Sequence, residues 1–118
     1  MDNYVTFLAG IFRSSRFGAA SAHGKANIMR FYFFEKTGAF IRNQDGTYSV
    51  NFDKMKEAIS LSVQQIITLQ GNGDYLLAKK LIETEGVIKP ELQKDLDRIN
   101  AANIPVDIVF NMGPEYIK

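Results

Sequence analysis

The sequence predicts a mainly α protein: about five helices packed round a central helix at residues ~20–37, with one small β-hairpin. Three observations carry that expectation. Apolar residues recur at steps of three and four over most of the chain. Gly18, Gly38, Gly73, Gly86 and Pro105 fall between those stretches and punctuate them. Only one segment, around Asn43-Gln44-Asp45-Gly46, has the short apolar arms and turn chemistry of paired strands.

In chain order, Tyr4, Leu8, Ile11 and Phe12 lie on one face of a first helix, which Ser14-Ser15 and Gly18 bring to an end. Ser21 opens the second. There Ala22, Ala26, Met29 and Phe33 fall on one face, and Ile28, Phe31, Tyr32 and Phe34 fill most of the remaining circumference, so Ile28 to Phe34 should be buried nearly all round. Gly38 stops it. The stretch from Ala39 to Val50 reads as a hairpin, with Asp45-Gly46 suited to positive φ. A third helix from Asp53 carries Met55, Ile59, Val63, Ile66 and Ile67 as its expected buried stripe and ends at Gly71-Asn72-Gly73. Asn72 or Asp74 can cap a fourth helix with Leu77, Ala78, Leu81 and Ile82, closed by Gly86. Pro90 suits the first turn of a fifth, with Leu92, Leu96 and Ile99 on one side and a stop at Asn103 and Pro105. The run Val106 to Phe110 reads as extended. No linker composition divides the 118 residues, so a single domain, 1–118, is expected.

Composition narrows the functions. A hydrophobic fraction of 46% and a charged fraction of 23% are those of an ordinary globular core and surface. A net charge of +1 gives no field to gather a phosphate backbone or an anionic bilayer, so neither nucleic acid nor a membrane is an expected partner. No apolar run approaches the ~20 residues that span a bilayer, and Asp2 stands where a signal peptide would be basic, which favours a cytoplasmic location. Zinc normally takes three or four His, Cys or carboxylate ligands. With one His and no Cys, no metal site or cofactor is expected within this chain. A Ser-His-Asp arrangement would rest on His23 without the G-x-S-x-G elbow, and Gly71-Asn72-Gly73 lacks the strand and third glycine of a phosphate loop.

His23 is the one catalytic candidate. It begins a polar stripe, with Asn27 four residues on and Arg30 three further, all on one helix face. Either His23 caps or pairs locally at a helix start, or the stripe lines a cleft where an imidazole donates to a developing oxyanion or shuttles a proton. Spacing alone leaves both open. The paired Arg13 and Arg16 could reach such a cleft, although arginines at a helix end more often satisfy its last carbonyls. Lys94, Asp95, Asp97 and Arg98 read as a solvated face, and Phe31 to Phe34 as core.

The stretches Ala9-Gly10-Ile11-Phe12-Arg13, Arg16-Phe17-Gly18 and Ala22-His23-Gly24-Lys25-Ala26-Asn27 resemble the region downstream of the zinc motifs in the dipeptidyl peptidase III family. Glu35-Lys36-Thr37-Gly38-Ala39-Phe40, a hairpin, Gly73-Asp74-Tyr75 and Glu85-Gly86-Val87 continue the likeness in order and spacing over nearly the whole chain. The resemblance implies a zinc-dependent exopeptidase that removes dipeptides from short peptides in a cleft between two lobes. This chain would then be the C-terminal segment of the helical lobe, inactive alone, with its natural start upstream of Met1 and with the rest of the lobe and a short peptide as partners. The family's H-E-x-x-x-H motif and second glutamate helix have no counterpart here, so zinc is expected only in the full-length parent. His23 matches the histidine that stabilises the scissile carbonyl. Asn27 stands where many members carry a substrate-holding arginine, and Arg30, on the same polar stripe, is read with it as substrate-binding; a further substrate-binding arginine has no counterpart around Pro105 to Asp107. The competing expectation is a non-catalytic helical interaction domain whose aromatic face docks a protein or self-associates.

Overall fold

The computed structural model describes residues 2–107. Its elements run α1 (Asp2–Ser15), α2 (Ala22–Lys36), β1 (Phe40–Arg42), β2 (Tyr48–Val50), α3 (Phe52–Asn72), α4 (Tyr75–Glu85) and α5 (Pro90–Ala101). The mainly α fold with one hairpin is therefore the one expected, and the punctuating residues act as their chemistry predicts. Ser21 caps α2 by accepting a hydrogen bond from the Gly24 amide at 3.0 Å, and Asp74 caps α4 by accepting one from the Leu77 amide at 2.9 Å. Gly73 ends α3 in the left-handed conformation at φ 60°, and Pro90 opens α5.

The core forms where α2 meets its neighbours. Ile28, Phe31, Tyr32 and Phe34 of α2 are buried with Leu8 and Ile11 of α1, Ala39 and Phe40 at the start of the hairpin, Met55 and Ala58 of α3, and Leu92 and Leu96 of α5. Phe31 is its hub, meeting Phe12 edge-on at 5.5 Å and Tyr48 at 5.6 Å, ring centre to ring centre. Each Leu, Ile, Phe or Met side chain among them contributes about 1.5–3 kcal/mol by leaving water. Burial round α2 is nonetheless less complete than its apolar pattern predicts. Met29 and Phe33 are only half-buried and Arg30 is exposed, because the packed arc is centred on Ile28 and Phe31.

In the hairpin, Phe40 pairs with Val50, Ile41 with Ser49 and Arg42 with Tyr48. Gly46 at φ 77° supplies the turn, and Asp45 accepts from both the amide and the hydroxyl of Thr47, which holds its carboxyl below the usual carboxylate range. Two elements depart from the sequence expectation. The α5 face read as solvated is not uniformly so: Asp95 is buried, accepts from Arg42 at 2.8 and 3.0 Å and from the Tyr48 hydroxyl at 2.7 Å, and so clamps the hairpin onto α5. Arg98 adds a hydrogen bond to the Asp45 carbonyl at 3.1 Å.

The α3 stripe is the second departure. Met55 is buried, but Ile59, Val63, Ile66 and Ile67 are exposed, because α4 lies along the opposite face of α3, at Leu61, Gln65, Thr68 and Leu69. At 21 residues it is about 31 Å long. No residue of α4 is buried either. Of the run expected to be extended, Val106 and Asp107 form a bend, and residues 108–110 lie outside the described residues.

Candidate functional site

The turn between α1 and α2 places His23. Ser15 is buried and donates to the Ile11 carbonyl at 2.9 Å, and Gly18, at φ 84°, donates its amide to the Ser15 carbonyl at 3.0 Å. The Gly18 carbonyl then lies so close to α2 that a Cβ on Gly24 would stand 2.1 Å from its oxygen. Only glycine fits there. Gly24→Ala should consequently lower stability by about 1–3 kcal/mol, the usual cost of forcing an extra methyl into a filled space. Urea denaturation measures it, and an unchanged midpoint would show that the turn yields freely.

Arg13 and Arg16 hold the other side of this turn. Arg16 donates to Asn100 Oδ1 at 3.0 and 2.8 Å and to the carbonyls of Ile104 and Pro105, while Arg13 donates to the Val106 carbonyl at 3.2 Å and pairs with Asp107. The carbonyls they satisfy therefore belong to the segment after α5, not to the end of their own helix. That segment straps the turn from which α2 departs.

His23 lies exposed in the first turn of α2, Asn27 is half-buried and Arg30 is exposed. Arg30 Nη1 donates to Asn27 Oδ1 at 3.2 Å, so two of the three candidate residues are brought into direct contact. The helix cap is Ser21, which leaves the imidazole free of that task. Chemically the stripe is a row of donors, imidazole, carboxamide and guanidinium, suited to carbonyl and carboxylate oxygens.

Two cavities lie elsewhere. One, of about 390 Å³, is bounded by Tyr32, Glu35, Tyr48, Lys89 and Glu91 among others; the second, of about 360 Å³, runs between α3 and α4. In the first, burial and the neighbouring Glu91 push the Glu35 carboxyl up, and burial pushes up the Tyr32 hydroxyl, which accepts from the Lys89 amide at 2.6 Å. The Lys89 ammonium sits 4.1 Å from the centre of the Tyr32 ring. Asp95, whose carboxyl the Arg42 hydrogen bonds hold below its usual range, was legible in one respect. It shares the spacing of Leu92, Leu96 and Ile99 and so lies on the apolar side of α5. Among the described residues, no group of three His, Cys, Asp or Glu is placed to hold a metal ion, and no helix is long and apolar enough to cross a membrane.

Over 90% of its length the chain superposes on dipeptidyl-peptidase III from Corallococcus sp. strain EGB, with a TM-score of 0.82 and 42% identity. In fold and sequence this chain is similar to part of dipeptidyl-peptidase III. The dipeptidyl-peptidase III of Caldithrix abyssi matches 89% of it at a TM-score of 0.80 and 39% identity. The resemblance to dipeptidyl-peptidase III read from Ala22-His23 and its surroundings is thus borne out at the level of fold and sequence. The chain spans only 19% and 20% of the length of those two proteins. A third relative carries a different name: "Nudix hydrolase 3" of Arabidopsis thaliana is 40% identical over 105 residues, 89% of this chain but 14% of that protein. No protein-family model matches the chain.

Proposed function

We propose that this chain is the C-terminal segment of the helical lobe of a dipeptidyl-peptidase III-like exopeptidase, a single domain that contributes His23 to the cleft and is inactive alone. The observation that carries the reading is the match of nine-tenths of the chain to dipeptidyl-peptidase III at 42% identity, with His23 exposed on a helix already capped by Ser21. His23 donates a hydrogen bond to the scissile carbonyl oxygen as negative charge gathers on it, the task of an oxyanion donor. Asn27 and Arg30 hold the peptide. Asn27 brings no charge, but the guanidinium bonded to it does, so the pair presents a cation about one helical turn beyond His23.

No three His, Cys, Asp or Glu among the described residues are grouped to hold a zinc ion, which in this reading is held by the full-length parent. The remainder of the lobe and a short peptide are the partners. The Nudix name belongs to a protein most of whose length has no counterpart in this chain, and no feature of the His23 stripe favours it.

The test compares hydrolysis of a dipeptidyl-naphthylamide, with zinc added, by this chain and by the longest polypeptide its reading frame encodes. Cleavage by the longer protein alone is the expected result. If no longer frame exists, the chain is better described as an interaction domain; if a longer protein exists and neither cleaves, it is an interaction domain or a segment of an inactive parent.

A further inference from the structure

His23 owes its place to the turn before it, and that turn is anchored from a distant part of the chain. Arg16, Phe17 and Gly18 carry α1 on into a tight bend, their amides donating to the carbonyls of Arg13, Ser14 and Ser15 at 3.1, 3.2 and 3.0 Å. The Gly18 carbonyl is then pressed against Gly24, the residue after His23, with no room for a Cβ between them. A shift of the turn therefore passes into the start of α2, because close-packed contacts transmit strain. Arg16 supplies the outside anchor. Its guanidinium donates to Asn100 Oδ1 through Nε at 3.0 Å and Nη2 at 2.8 Å, to the Pro105 carbonyl through Nη1 at 3.0 Å and to the Ile104 carbonyl through Nη2. A rigid planar fork that engages several acceptors at once fixes orientation as well as distance. Asn103, in the left-handed conformation at φ 55°, bends the chain between those acceptors.

We infer that Arg16 is a positioning residue of the His23 site: tied to the segment after α5, it sets the α1–α2 turn and, through the Gly18–Gly24 contact, aims the imidazole. The inference rests on the reading of His23 as an oxyanion donor, and it adds the device that points that donor. Arg16 acts through His23 and not on substrate, since its guanidinium is occupied by Asn100 and the two carbonyls. The effect of losing such a device is large because a donor displaced by about 1 Å can cost roughly 10²-fold in rate.

A double-mutant cycle tests the assignment in the longest polypeptide the reading frame encodes. Arg16→Ala is expected to lower kcat for a dipeptidyl-naphthylamide by about 10–10²-fold, with KM held within about twofold. In a His23→Ala background the same substitution should lower kcat by less than about twofold, because no imidazole is left to aim. Equal losses in the two backgrounds would overturn the inference. So would full recovery in Arg16→Lys, which keeps the charge and loses the fork. Arg98→Ala controls for lost stability alone: it cuts hydrogen bonds from α5 to the carbonyls of Asp45 and Gly46 and should leave kcat unchanged. A matching loss there would count against Arg16. Should Arg16→Ala fail to fold, Asn100→Ala removes the side-chain acceptor and carries the same prediction at a smaller size. Hydrogen exchange separates this inference from the reading beneath it. Loss of the Arg16 anchor should speed exchange over residues 24–28 by at least about tenfold and leave residues 40–50 unchanged. Unaltered exchange at 24–28 overturns the inference whatever the activity. If the polypeptide cleaves nothing, or His23→Ala keeps the parental kcat, the proposed function falls, and exchange alone decides whether Arg16 holds the start of α2.

Discussion

In the longer polypeptide, His23→Ala lowers turnover of a dipeptidyl-naphthylamide by about 10²–10³-fold, the loss that follows removal of one oxyanion donor. The fold is retained. His23 is exposed, and the α2 cap belongs to Ser21, so the imidazole supports neither packing nor the helix start. Because the proposed hydrogen bond strengthens only as charge develops on the carbonyl oxygen, the loss falls on kcat, with KM little changed. His23→Gln, which keeps a donor of similar reach, should recover part of the rate. Arg30→Ala behaves differently under the same reading: it removes a cation that holds substrate in ground and transition states alike, so KM rises while kcat is largely kept. Equal kcat for His23→Ala and the parent would remove His23 from the chemistry.

The boundaries of the helices were legible because they depend on single residues with local mechanisms. Ser21 and Asp74 accept first-turn amides, Gly73 takes a positive φ, and Gly46 turns the hairpin. What local chemistry does not encode is which surface covers a given face. Ile59, Val63, Ile66 and Ile67 have the period of a buried stripe, and the period reports only that the face is apolar; they are exposed because α4 takes the opposite face of α3. Asp95 departs from its expected exposure for the opposite reason. Its charged neighbours suggest a solvated face, while its spacing from Leu92 and Ile99 puts it among the buried positions. At the candidate site, spacing placed His23, Asn27 and Arg30 on one face, but it was the resemblance around Ala22-His23 that attached a chemistry to them. The contact of Arg16 with Asn100, 84 positions away in sequence, has no local signal at all.

Asp95→Ala should lower stability by about 1–3 kcal/mol, since it strips three donor atoms of their acceptor, while Arg42 keeps an ion pair with Glu91 at 3.5 Å. Asp95 is 3% exposed and serves three donor atoms, two on Arg42 and the Tyr48 hydroxyl, whose ionisation burial and the carboxylate push upward. Its loss therefore frees the hairpin from α5 as well as costing energy. Asp95→Asn, which keeps the shape and one acceptor, should cost about 1–2 kcal/mol, the difference between a charge-assisted and a neutral hydrogen bond. Replacing the pair together, Arg42→Met with Asp95→Leu, should recover much of what Asp95→Ala loses, because the charge then left without its counterpart is the exposed Glu91 carboxylate, which water solvates. The pH dependence has a definite sign. Arg42 holds the Asp95 carboxyl below its usual range in the folded protein, so its contribution is complete above the unfolded carboxyl's pKa, roughly 3.9. It is lost as the pH falls through the lower folded value. Urea midpoints of the parent and Asp95→Asn should consequently stand apart at neutral pH and converge below about pH 4. A constant gap across that range would mean that the carboxyl stabilises the fold by its shape and not by its charge.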